Sequence, residues 1–130
     1  MTDQDRSFIS IEPSDIIDSS GKSFIVAFKC EANGLNFVVA HSYMGGDKDD
    51  DILVQIRFDE APMTRHWWSL TSSHEVTLAD MQDVPGIVRL AKSGNKLAVR
   101  ITDPLDGESA TSVFSLQGLS TQMAKLPCAE

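Results

Sequence analysis

The chain has 130 residues, 42% of them hydrophobic and 23% charged, with a formal net charge of −8 at pH 7. That is the length and composition of a single domain over residues 1–130 with a core large enough to stand alone, and disorder is not expected beyond residues 1–6 and one acidic loop. So acidic a surface disfavours nucleic acid and anionic membrane and suits solubility alone, the first reading, or a basic protein partner, and no run approaches the ~20 apolar residues of a membrane helix.

The first residues, Met1-Thr2-Asp3-Gln4-Asp5-Arg6, show no basic region followed by an apolar run and do not read as a signal peptide. Two compartments stay open: the cytoplasm, or export with the signal already removed.

Period-two alternation dominates the chain from Phe24 onward, the mark of half-buried strands. Phe24, Val26, Phe28 and Cys30 share one face against Ile25, Ala27 and Lys29. Asn33-Gly34 then predicts a hairpin turn, because both residues accept positive φ. Leu35, Phe37 and Val39 alternate with Asn36, Val38 and Ala40 on the return strand.

Residues 42–51 read as a flexible acidic loop carrying Gly45-Gly46 and Asp47-Lys48-Asp49-Asp50-Asp51. A strand comes next with Ile52, Val54, Ile56 and Phe58 on one face, broken at Pro62. Trp67 to Leu70 extends again, and Val76 and Leu78 suggest another short strand.

At Asp83-Val84-Pro85-Gly86 the period changes. Asp83 suits an N-cap and Pro85 a first turn, while Val84, Ile87, Val88 and Ala91 make one helical face. Lys92 favours the helix end and Gly94 stops it, so the spacing predicts a helix over 84–93. Leu97, Val99 and Ile101 form the next strand. Thr111 to Gln117 forms the last, and Ser120 caps a short helix reaching about Leu126 before Pro127. The fold class expected is mainly β: a β-sandwich or open barrel of short antiparallel strands with two small helices toward the C-terminus.

Motifs for chemistry are sparse. Asp47, Asp49 and Asp51 have the opening spacing of a calcium loop, but Ile52 stands where the glycine should turn the chain and Phe58 where the closing glutamate is needed. His41, His66 and His74 obey no zinc spacing. No serine sits in a nucleophile elbow, and Gly45-Gly46 is not followed by a phosphate-binding Gly-Lys pair. No enzyme, cofactor or metal site is therefore expected.

Trp67-Trp68 is the most informative pair. Neighbours on an extended segment point to opposite faces, so one ring enters the core and the other faces out. An outward Trp beside Arg65 and His66 has the composition of a binding hot spot. The two cysteines, Cys30 and Cys128, permit one internal disulfide, or two free thiols.

Several segments together resemble a family. These are Phe28-Lys29-Cys30, Arg57-Phe58-Asp59, Trp68-Ser69, Ile87-Val88-Arg89-Leu90, Leu97-Ala98-Val99-Arg100, and Phe114-Ser115-Leu116-Gln117-Gly118-Leu119 running on to Cys128. In this order they are similar to the VasI/TagO-like accessory proteins associated with bacterial type VI secretion clusters. The closing strand, helix and cysteine carry the most specific part. Two features depart from the pattern: the family usually carries an export signal, and its last cysteine is usually followed by Gly-Trp, where this chain has Ala129-Glu130.

The resemblance implies a non-enzymatic, envelope-associated protein, periplasmic if a signal peptide has been trimmed and otherwise cytoplasmic, with Cys30 bridged to Cys128. A bridge closing a loop on the order of 100 residues would contribute up to about 4–5 kcal/mol by the chain-entropy argument. The function expected is an accessory module docking a protein partner through Arg65, His66, Trp67 and Trp68. The alternative is a cytoplasmic, phage-borne inhibitor whose acidic residues Asp47, Asp49, Asp50 and Asp51 block a basic partner.

Overall fold

The computed structural model describes residues 8–11, 15–18, 24–31, 34–41, 51–71, 75–102, 107 and 109–126. Nine strands form one sheet: β1 (Phe8–Ile11), β2 (Asp15–Asp18), β3 (Phe24–Glu31), β4 (Gly34–His41), β5 (Asp51–Phe58), β6 (Thr64–Leu70), β7 (Val76–Leu78), β8 (Lys96–Thr102) and β9 (Ser109–Ser115). Helix α1 (Val84–Ser93) lies between β7 and β8, and α2 (Leu119–Met123) follows β9.

The strand order is β1-β3-β4-β7-β6-β5-β8-β9-β2, with every neighbouring pair antiparallel. The two edge strands are consecutive in the chain. From Ile11 to Asp15 the backbone spans at most ~15 Å at 3.8 Å per Cα step, so the edges of the sheet must lie that close. The sheet is thus rolled into a nearly closed barrel. β1 and β2 divide the N-terminal segment between the two edges, one pairing with β3 and the other with β9. The sequence between them carries Pro13, and proline cannot donate to a ladder.

The expected mainly β fold with two small C-terminal helices is therefore what the chain adopts, and closure decides for a barrel over a sandwich. Alternation sends Phe24, Val26 and Phe28, then Ile52, Val54 and Ile56, then Leu97, Val99 and Ile101 inward, all of them buried. Phe28 and Phe37 meet with ring centroids 5.0 Å apart, and the Trp68 edge meets Phe37 at 5.8 Å, so aromatic contacts cross the interior.

Antiparallel alternation also fixes where the helices go. β7 and β9 run in the same direction, so α1 and α2 both emerge at one end of the barrel and pack on each other. Val84, Ile87 and Ala91 of α1, with Leu119 and Met123 of α2, join the single core cluster and cover that end. β3 finishes at this same end, which places Cys30 there, half-buried against the core.

Several expectations shift. The hairpin between β3 and β4 exists, but Glu31 pairs with Gly34, so residues 32–33 make the connection and Gly34, with φ 118°, opens β4. The reason is register: Phe28 must face Phe37 for both to be buried, and a one-residue slip would turn each side chain to the wrong face. β6 starts at Thr64, not Trp67, because its ladder with β5 runs from Ile56↔Thr64 to Asp51↔Ser69.

In β7 the buried residue is Thr77, with Val76 and Leu78 half-buried, because Thr77 pairs with inward-facing Val39. There His41 Nε2 and Thr77 Oγ1 are 2.7 Å apart inside the barrel. α2 is capped at Gly118, with φ 80°, two residues before the expected Ser120. β9 runs two residues earlier than read from Thr111 to Gln117. β1 and β2 had no counterpart in the alternation pattern.

Candidate functional site

β6 divides the residues that the sequence groups together. Its pleat turns His66, Trp68 and Leu70 inward and Arg65, Trp67 and Ser69 outward. Trp67 is 58% exposed, whereas Trp68 is 0% exposed. The expectation of one ring in and one ring out describes the pair. It also removes Trp68 from any docking surface: its ring is enclosed by the core and by His66, stacked at 5.0 Å.

On the outer face, Arg65, Gln55 and Arg100 lie in register across β6, β5 and β8, and Trp67, Leu53 and Thr102 form the next row. The Arg100 guanidinium is held against Ser109 Oγ, 3.1 Å from Nη2. Among the described residues neither Arg65 nor the Trp67 indole N–H makes a hydrogen bond or ion pair. Asp51, exposed at the start of β5, sits opposite Ser69 on this same face. Asp47, Asp49, Asp50 and His74 lie outside the described residues.

The inner face of β6 meets α1. Asp83 precedes the helix as the sequence predicts, but its carboxylate makes no cap hydrogen bond. Instead the Trp68 indole N–H donates to Asp83 Oδ2 at 2.9 Å, and His66 Nδ1 lies 3.3 Å from the same oxygen. Leaving a buried indole N–H unpaired would cost more than leaving a helix-terminal amide to water, so the carboxylate goes to Trp68.

The other His66 nitrogen, Nε2, is 2.9 Å from Thr64 Oγ1, and that hydroxyl is also 3.3 Å from the Ile56 carbonyl. Hydroxyl, imidazole and carboxylate stand in the order of a nucleophile relay. However, the single Thr64 proton serves either His66 or the Ile56 carbonyl across the strand pair. These contacts tie the start of α1 to β6.

Between α1 and the end of the β5–β6 hairpin lies a cleft of about 470 Å³, walled by Ile56, Phe58, Pro62, Ile87 and Leu90, with Thr64, His66 and Asp83 at its polar wall. Following the lining residue Phe58, Asp59 has a φ of 52°, and its carboxylate accepts the Asn95 and Lys96 backbone N–H groups at 3.0 Å each. Leu90, in the wall, is an exposed large apolar side chain, and Met63 and Met81, the chain neighbours of the lining residues Pro62 and Gln82, are exposed as well. The cleft is not legible in the sequence because the contacts behind its polar wall join residues 15–17 positions apart, a separation no local pattern marks.

Among the described residues, no group of three or more His, Cys, Asp or Glu side chains is placed to hold a metal, and no helix is long and apolar enough to cross a membrane. Cys128 lies outside the described residues. Comparison with known proteins finds no matching family model, no matching curated protein and no matching solved structure.

Proposed function

We propose that this protein is a non-enzymatic accessory module that docks a protein partner on the outer face of β6, β5 and β8. Trp67 is the anchor and Arg65 its charged neighbour. The observation that carries this reading is an exposed Trp67 on a strand whose ladder to β5 holds it rigid. A preorganised aromatic loses little conformational freedom on binding, and Trp and Arg dominate binding hot spots. Arg65 and Arg100 give this patch positive charge on a chain of net charge −8, so the complementary partner surface is acidic.

The resemblance to type VI secretion-associated proteins favours the bacterial envelope as the compartment, with Cys30 joined to Cys128. Three observations support that bridge. Cys30 and α2 occupy the same end of the barrel, Leu126 is buried in the core two residues before Cys128, and among the described residues no cysteine is a free thiol. Such a bridge persists in an oxidising compartment. In unreduced protein from its native compartment, alkylation is expected to add no mass until a reductant exposes two thiols; alkylation of both after unfolding alone would defeat the envelope assignment.

Docking is tested by capture from periplasmic extract. Wild type is expected to retain a specific partner, and Trp67→Ala to lose it by at least about tenfold, the effect of a central hot-spot residue. Equal capture by both, or none by either, would sink the docking reading.

A further inference from the structure

We propose that the cleft between α1 and the β5–β6 hairpin is a binding site for a small cationic amphiphile, an alkyl or aryl chain ending in an ammonium group. At about 470 Å³ it falls within the ~300–1,000 Å³ usual for small-molecule sites, and like them it joins apolar walls to a few convergent polar groups. Ile56, Phe58, Pro62, Ile87 and Leu90 remove an apolar chain from water.

Charge selects the head group. Among the described residues Asp83 is the only Asp, Glu, Lys or Arg in the lining, so the wall carries a carboxylate and no fixed cation. The carboxylate side chain is 27% exposed, and both of its partners, Trp68 and His66, engage Oδ2. Among the described residues Oδ1 accepts no hydrogen bond. A carboxylate offers about four lone-pair positions, so this one is fixed in place with capacity left over. An ammonium group supplies a donor and a charge-assisted bond to Oδ1, which a carboxylate head cannot supply.

Three probes that share one chain and differ in the head decide the question: octylamine, octanol and octanoate, each titrated into the isotopically labelled full chain and followed by amide chemical shifts. Saturable shifts are expected at His66, Asp83, Gly86, Ile87 and Leu90. Octylamine should saturate them at a concentration at least about tenfold below octanoate, with octanol between, the size of one charge-assisted contact. Asp83→Asn keeps an oxygen for the Trp68 N–H and should erase the preference for octylamine over octanol, whereas Leu90→Ser should weaken all three. Octanoate binding as tightly as octylamine, absence of saturable shifts in the cleft, or an undiminished amine preference in folded Asp83→Asn would each overturn the proposal. The wild-type comparison decides even if a variant fails to fold. The site shares no residue with the Trp67 face, so loss of partner capture in Trp67→Ala leaves these titrations unchanged.

Discussion

Trp67 and Trp68 are chemically identical neighbours with opposite surroundings. Trp68 is enclosed by Phe37 and His66, its N–H bonded to Asp83, and it links the barrel core to α1. Trp67 stands on the outer face with its indole N–H unbonded among the described residues. The difference is one step along a pleated strand, and it separates a ring enclosed in the core from one exposed on the outer face.

The largest expected effect comes from the inner face. Trp68→Ala should destabilise the protein by about 3–5 kcal/mol in a denaturant titration, since it opens a cavity beside Phe37 and removes one of the two partners of Asp83. A loss under about 1 kcal/mol, the range of ordinary surface substitutions, would mean that the two rings are not so different. Trp68→Phe sharpens the test by keeping an aromatic ring and deleting the N–H. The bond to a charged acceptor predicts a loss of about 2–3 kcal/mol, with the start of α1 exchanging its amide protons faster.

Gly94→Ala probes the packing of the end of α1 against Asp59. A Cβ there would lie 2.9 Å from the Leu90 carbonyl and 3.0 Å from Asp59 Oδ2, so crowding of about 1–3 kcal/mol is expected, read as a lower midpoint with an unchanged denaturant slope. The smallest effect belongs to the outer face: Trp67→Ala should change stability by less than ~0.5 kcal/mol. Fluorescence completes the comparison. In Trp67→Phe the remaining ring should emit to the blue and resist quenching by iodide, while in Trp68→Phe it should emit to the red and quench readily.

Much of the architecture is legible without coordinates, because alternation and helical spacing are local. β3, β4, β5 and β8 follow from it, and α1 matches its expected limits at Val84 and Ser93. Errors fall where long-range pairing outranks local preference. Gly34 serves as the first residue of β4 and not as a turn centre, since burial of Phe28 and Phe37 sets the register. Asp83 occupies the cap position, yet its carboxylate turns to an indole 15 residues earlier.

By itself the sequence determined which residues seek the interior, the antiparallel β class, the helix after Asp83, and the opposite orientation of the two tryptophans. All of these depend on the side-chain period along a few residues. The tertiary structure alone decided that the sheet closes through β1 and β2, that both helices share one end, and that Thr64, His66, Trp68 and Asp83 are joined beside a cleft. Those outcomes depend on contacts between segments far apart in the chain. Their free energy comes from burying shared surfaces and pairing buried polar groups, and no spacing within a single segment records it.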